Sequence, residues 1–140
     1  MVDIAIEVYD QFEPHETYIA QLELMMVLVA LIQDAEAFRG RRGVWFIDNV
    51  AALMALVRGS SRNKDLNRMA GQIHALLFTH RVWVYFEWIE SAANWADGIS
   101  REEERCAWCE EHMFPTRRVG FNPRLLSLPL LPLMTVAQFI

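Results

Sequence analysis

Three acidic residues occupy positions where a folded chain could use them for chemistry. Glu23 lies within the most apolar helical stretch, Asp48 directly follows the apolar segment 44–47, and Asp97 comes soon after the aromatic-rich segment 81–89. Carboxylates that converge repel one another unless a cation neutralises them, and oxygen ligands suit hard ions such as Mg²⁺ or Mn²⁺. The three acids therefore predict a divalent-metal site.

Each of these acids also has a simpler interpretation. Glu23 could be a partly exposed helix residue, and Asp48, which precedes Asn49, could belong to a turn or a helix cap. Asp97 could be a charge that favours the positive end of a helix dipole. Each signal is weak alone, and the combination favours the metal site.

The elements that would position these acids are predicted from the spacing of apolar residues. Residues 2–9 alternate as a half-buried strand does, and 44–47 are typical of a strand in the middle of a parallel sheet. Residues 81–89 are a further predicted strand, rich in aromatic and β-branched residues. The segments 17–38, 50–57, 64–79 and 97–111 are predicted helices. The order predicts an α/β domain with a mixed or parallel sheet flanked by helices. Ligands of such sheets bind beyond the carboxyl ends of the strands, where Asp48 and Asp97 are expected.

The charged residues give a second indication of function. With 140 residues and a net charge of -5, the chain suits one domain and has no global basic field. One local basic cluster beside a helix start could contact phosphates, or it could simply be a solvated loop. Two amides beside the carboxylates could also contact phosphate or sugar, or they could belong to turns or helix caps. These candidate nucleic-acid-binding residues are Arg58, Ser60, Ser61, Arg62, Lys64, Asn49 and Asn94, with Arg68 adjoining the cluster.

Other classes of protein receive less support. Cys106 and Cys109 with His112 suggest zinc, but the sequence holds only two cysteines and no second CxxC pair. The chain does not begin with the basic region and apolar region of a signal peptide. Pro129 and Pro132 interrupt the apolar tail 125–140, which is therefore not expected to span a membrane. We expect no membrane association and an intracellular location, cytoplasmic or nuclear.

Four runs of residues resemble the RNase H-like domain of retrotransposon reverse transcriptases. They read Tyr-Ile-Ala-Gln-Leu-Glu-Leu (18–24), Phe-Ile-Asp-Asn-Val-Ala-Ala-Leu (46–53), Arg-Gly-Ser-Ser-Arg (58–62) and Ser-Ala-Ala-Asn-Trp-Ala-Asp-Gly-Ile-Ser-Arg (91–101). As an ordered set they are fairly specific, and they cover about residues 15–101. The resemblance divides the chain into a partial RNase H-like domain, 1–101, and a helical and proline-containing extension, 102–140.

The resemblance implies a function. In that family the matching acids, here Glu23, Asp48 and Asp97, ligate two divalent metals, Mg²⁺ or Mn²⁺. Two such metals activate a water and stabilise the leaving oxygen of a phosphodiester. The family hydrolyses the RNA strand of RNA/DNA hybrids, so the implied partners are a hybrid or other nucleic acid and the adjoining reverse transcriptase domains.

The chain departs from the family at its start. The family's first Asp precedes the Glu by well over thirty residues, whereas Asp3 and Asp10 precede Glu23 by only 20 and 13. A histidine frequent before the last Asp is also missing. The expected fold lacks the family's first strands. Either residues 2–9 fill the vacant place beside 44–47, where Asp3 or Asp10 could substitute as a ligand, or the fold is incomplete. The first alternative is favoured, because an exposed central strand edge is a liability.

Three hypotheses remain. The first is a metal-dependent nuclease domain, inactive if the first Asp is indispensable. The second is a non-catalytic RNase H-like module that binds nucleic acid or a polymerase partner. The third is a small α/β interaction domain without metal, whose apolar tail docks on a partner.

Overall fold

The fold combines helices with a small parallel sheet. The computed structural model describes residues 6–94, 110–113, 120, 122–123 and 126. Its elements are α1 (Ile6–Tyr9), α2 (Ile19–Gln33), α3 (Ala35–Phe38), β1 (Arg42–Ile47), α4 (Val50–Arg58), α5 (Lys64–Thr79) and β2 (Trp83–Trp88), followed by a 3₁₀ turn, Ser91–Ala93. This architecture is α/β, as the sequence predicts.

The sheet of the described residues consists of two parallel strands. Arg42 of β1 pairs with Trp83 of β2, and the register continues to Ile47 and Trp88. The connection between the strands carries α4 and α5, as parallel strands require. Both strands therefore end at the same edge of the sheet.

Helix α2 forms the centre of the core. Its buried residues lie around most of its circumference, which is why its apolar pattern shows no single face. It packs mainly against α5, whose Met69, Ile73 and Leu76 are fully buried. Leu126 of the extension joins the same cluster, and its carbonyl accepts a hydrogen bond from Gln72 Nε2 at 3.4 Å.

Local sequence signals set the ends of α4 and α5. Gly59 ends α4 in the left-handed conformation (φ 70°), which glycine adopts without a Cβ penalty. Asn63 begins α5, because its side-chain oxygen accepts hydrogen bonds from the backbone N–H groups of Asp65 and Leu66. The observed helices match the predicted segments 50–57 and 64–79 closely.

The first element differs from its prediction. Residues 6–9 form the short helix α1, and residues 2–5 lie outside the described part of the chain. Val8 and Phe12, four residues apart, are both buried in the core, and that spacing suits a helical turn. The predicted strand over residues 2–9 is therefore wrong for its second half, and residues 6–9 do not fill a place beside β1.

The strand β1 is also less buried than expected. One face of the sheet packs on the helices through Trp45, Ile47 and Phe86, while no described element covers the other, open face. On that open face Val44 is 56% exposed and Tyr85 is 65% exposed. The continuous apolar run 44–47 of β1 predicted a strand covered on both faces. Within the described residues only one face is covered.

The segment before α2 is fastened to the start of α5. Asp65, which is 3% exposed, accepts the backbone N–H of Glu13 at 2.9 Å. Arg68 donates to the carbonyl of Gln11 at 3.1 Å, and Lys64 pairs with the Glu13 carboxylate. These contacts hold residues 11–13 against α5.

None of the helices in the described ranges is both long enough and apolar enough to cross a lipid bilayer.

Candidate functional site

Two residues with predicted roles meet at the carboxyl edge of the sheet. Asp48 follows β1, and Asn94 follows β2 after the 3₁₀ turn. The Asn94 side-chain amide donates a hydrogen bond to Asp48 Oδ2 at 3.0 Å, although the residues are 46 positions apart. Both side chains are only partly buried, so the Asp48 carboxylate faces a solvent-accessible edge.

Asn49 adjoins this contact but has a structural role. Its side-chain oxygen accepts the backbone N–H of Ala52 at 3.0 Å and so caps the start of α4. The cap fixes the direction in which the chain leaves β1, and thereby orients the preceding Asp48. The capping alternative considered for Asn49 is thus observed.

The other two predicted carboxylates are placed less fully. Glu23 lies in the second turn of α2, where it is half-buried beside fully buried Leu24 and Met25. Asp97 lies outside the described residues, as do Cys106 and Cys109. Within the described ranges no cluster of three or more His, Cys, Asp or Glu side chains could hold a metal ion.

The predicted basic cluster forms a pocket at the far end of α4. This cavity of about 390 Å³ is lined by two arginines, two serines and apolar residues of α4 and α5: Arg58, Ser60, Ser61, Arg62, Ala51, Met54, Ala55 and Leu66. Arg58 and Arg62 are exposed, and neither forms a salt bridge with another described residue. The pocket therefore presents two positive charges and two hydroxyl groups to an anion.

Hydrogen bonds hold the loop that forms this pocket. Ser61 N–H donates to Asn67 Oδ1 at 3.1 Å, and Ser61 Oγ accepts the N–H of Asn63 at 3.2 Å. The Ser61 hydroxyl hydrogen is not used by these bonds and can be donated to a bound group. Lys64 does not line the pocket, since its ammonium pairs with Glu13 at 3.1 Å.

A larger groove was not predicted from the sequence. It has a volume of about 920 Å³ and follows β2, between the sheet and the exposed residues Val57 of α4 and Phe78 of α5. The alternation of Trp83, Val84, Tyr85 and Phe86 could have indicated it, because large apolar residues on both sides of a strand need cover on both sides. The helices of the described ranges cover the sheet on one side only.

The burial of His80 was also not predicted from the sequence. It ends α5, is only 1% exposed, and neither ring nitrogen has a hydrogen-bond partner among the described residues. Burial lowers the pKa of the His80 imidazole, the Arg39 cation lowers it further, and Glu36 partly opposes both. His80 is therefore neutral at pH 7.

Known protein families, curated proteins and solved structures give no match to this chain.

Proposed function

We propose that this chain is an RNase H-like module of a retroelement reverse transcriptase that acts on the RNA strand of RNA/DNA hybrids. The supporting observation is the 3.0 Å hydrogen bond between Asn94 and Asp48. It joins the Ile-Asp-Asn run at the end of β1 to the Ser-Ala-Ala-Asn run that follows β2. Two of the motifs that carry the resemblance thus meet at the edge where an open α/β sheet binds its ligands.

Asp97 comes three positions after Asn94 in the same run of residues, and with Asp48 it belongs to the proposed metal site. The carboxylates that would hold divalent metal are these two and Glu23.

The donor set fits Mg²⁺ or Mn²⁺. Carboxylate oxygens are the ligands that these hard cations prefer, and the described part of the site contributes no thiolate or imidazole. When bound, the metals would supply a nucleophilic water and stabilise the leaving oxygen. The protein's own contribution is to orient Asp48 through the Asn94 amide and the Asn49 cap.

The basic pocket is the proposed contact with the nucleic-acid backbone. Arg58 and Arg62 offer charge, and Ser60 and Ser61 offer hydroxyl donors, which are common partners of phosphate. Asp48 precedes the start of α4 and Arg58 ends it, and a nine-residue helix is about 14 Å long. The length of α4 corresponds to about four nucleotides of one strand along a duplex axis. The basic pocket would thus contact the backbone about four nucleotides away from the carboxylate site.

The first experiment is cleavage of a labelled RNA/DNA hybrid in Mn²⁺ and in Mg²⁺ by the wild type and by Asp48→Asn. Cleavage by the wild type that falls at least about a hundredfold in Asp48→Asn supports a metal site containing this carboxylate. The matched control is Glu16→Gln, a neutralised acid at an exposed position with no described partner, and it should cleave normally. A folded wild type without cleavage in either metal excludes the catalytic proposal.

A non-catalytic module that binds nucleic acid is the second candidate, and the pocket favours it independently of the carboxylates. Hybrid binding should then weaken by roughly tenfold in Arg58→Ala/Arg62→Ala and remain unchanged in Asp48→Asn. Removal of two phosphate contacts should also reduce the slope of log affinity against log salt by nearly two. The matched control is Arg41→Ala, an exposed arginine outside the pocket, and an equal loss in that variant would contradict a local phosphate site.

A further inference from the structure

Among the described residues, the outer edge of β2 has a stretch without a pairing strand between two positions whose N–H groups are already bonded. Trp83 N–H donates to Arg41 O and Ile89 N–H donates to Ile47 O, so the odd-numbered residues of β2 face β1. By alternation, the backbone groups of Val84 and Phe86 turn away from β1. On either side, Val82 N–H is bonded to Leu77 O and Trp88 N–H to Glu87 Oε1.

Apolar side chains surround this unpaired stretch. The large groove runs along it, with Trp83 and Tyr85 on the open face of the sheet and Val57 and Phe78 on the helix side. Phe78 is 84% exposed and Tyr85 is 65% exposed. An unpaired strand edge flanked by exposed apolar residues is a template for strand addition.

The charges along this edge have opposite signs at its two ends. Arg42 and Arg81 line the groove at the amino end of β2, and neither forms a salt bridge with another described residue. Glu87 and Glu90 are exposed at the carboxyl end. The edge is therefore complementary to an antiparallel copy of itself, which would place acids beside these arginines.

We propose that β2 pairs antiparallel with β2 of a second copy of this chain around a two-fold axis at Tyr85. Val84 of one copy would then face Phe86 of the other, and these residues would exchange four backbone hydrogen bonds across the axis. The pairing would end where Val82 and Trp88 are already capped. Such an isologous interface gives a four-stranded sheet in the order β1–β2–β2–β1.

The side chains agree with this register. Trp83 of one copy would lie opposite Glu87 of the other on the open face of the joined sheet. Arg42 stacks over the Trp83 ring with its guanidinium 5.6 Å from the ring centroid, so the cation lies between β1 and the Glu87 of the second copy. On the helix side, Val57 and Phe78 of both copies would become covered.

This proposal does not depend on the proposed function, because the edge of β2 is separate from Asp48 and from the basic pocket. The test is the mass of the full chain in solution by sedimentation equilibrium over a range of concentrations. The expected result is twice the 16.3 kDa monomer mass at high concentration. A wild type that stays monomeric at the highest soluble concentration overturns the proposal.

Two proline variants test which edge pairs. Val84→Pro removes an N–H group that points away from β1, so the hydrogen bonds between β1 and β2 are kept, and such a position tolerates proline. This substitution should raise the dissociation constant of the dimer by at least about tenfold. Val44→Pro, whose N–H faces away from β2 on the opposite edge, is the matched control and should remain dimeric. Loss of the dimer in Val44→Pro but not in Val84→Pro would overturn the choice of edge.

A charge exchange tests the register without altering the backbone. Arg42→Glu should raise the dissociation constant about tenfold, because two like-charge pairs replace two complementary ones. Adding Glu87→Arg to that variant should restore wild-type association. Failure of the double variant to recover, with both proteins folded, would contradict the antiparallel register.

Discussion

His80 allows a prediction in which a substitution at a buried site increases stability. Its imidazole is 1% exposed, and neither ring nitrogen has a hydrogen-bond partner in the described part of the chain. A buried polar group without a partner costs about 1–3 kcal/mol. We expect His80→Phe, which keeps a planar ring and removes both nitrogens, to raise the free energy of unfolding by about 1–2 kcal/mol after a small penalty for the larger ring.

A second histidine on the same helix provides the control. His74 is exposed, and its Nε2 forms a 2.7 Å hydrogen bond with the carbonyl of Leu56. His74→Phe loses this bond and should lower the free energy of unfolding by about 1 kcal/mol. The same substitution within α5, at position 74, and directly after it, at position 80, should therefore have opposite effects.

The pH dependence gives an independent test of the same reasoning. Because burial lowers the pKa of His80 below its ordinary value of 6.5, the unfolded chain takes up a proton that the folded chain resists. Above about pH 6.5 the protonation of His80 does not reduce the free energy of unfolding of the wild type. As the pH falls toward the lowered pKa, this free energy decreases, because only the unfolded chain takes up the proton. The advantage of His80→Phe over the wild type should therefore grow from pH 7 to pH 5, by at most about 1.4 kcal/mol per pH unit.

The assay is urea unfolding followed by circular dichroism at pH 7, 6 and 5, with thermal unfolding as a second measurement. A gain of 1 kcal/mol corresponds to about 4 °C in Tm for a chain of this size. A lower stability of His80→Phe at pH 7, or an advantage that does not change with pH, would refute the assignment of His80 as a buried neutral group without partners.

Four further substitutions test the contacts at the end of α4 and the start of α5. Asp65→Ala should lower the free energy of unfolding by about 2–3 kcal/mol, because it removes the buried charged acceptor of the Glu13 N–H. Lys64→Ala, which removes only an exposed ion pair, should change it by less than about 0.5 kcal/mol. Equal effects of the two substitutions in urea unfolding would contradict this contrast. Asn63→Ala should cost about 1–2 kcal/mol and speed amide exchange in the first turn of α5, since two N–H groups lose their cap; unchanged exchange would argue against the cap. Gly59→Ala should cost about 1 kcal/mol through its left-handed backbone alone, because an added Cβ meets only His74 at 3.7 Å; a Tm at the wild-type value would contradict this.

The sequence predicted the helices better than the strands for a physical reason. Asn63 and Gly59 mark helix ends through local chemistry that does not depend on the rest of the fold. The alternation in residues 2–9 is short, and Val8 and Phe12 satisfy a helical spacing equally well. The open face of β1 depends on which other elements cover it, and no local pattern carries that information.

The sequence predicted part of the candidate site, namely the contacts that follow from the order of the strands. Two strands predicted to be parallel bring their ends together, so a contact at the edge near Asp48 follows from topology, and the Asn94 amide is found there. The pairing of Lys64 with Glu13 depends on where the segment before α2 packs, so its separation from Arg58 and Arg62 did not follow from sequence proximity. The burial of His80 could not be predicted from the local sequence, because distant elements cover this residue.

The parallel pairing of Arg42 with Trp83 also has a kinetic consequence. The strands are separated by about 40 residues, and closing a loop of that length costs about 3 kcal/mol of chain entropy before the ladder gives any return. Helices α4 and α5 form from contacts nearer in sequence, so we expect them to appear before the sheet during folding. Substitutions along β1 and β2 should consequently accelerate unfolding while leaving the refolding rate almost unchanged.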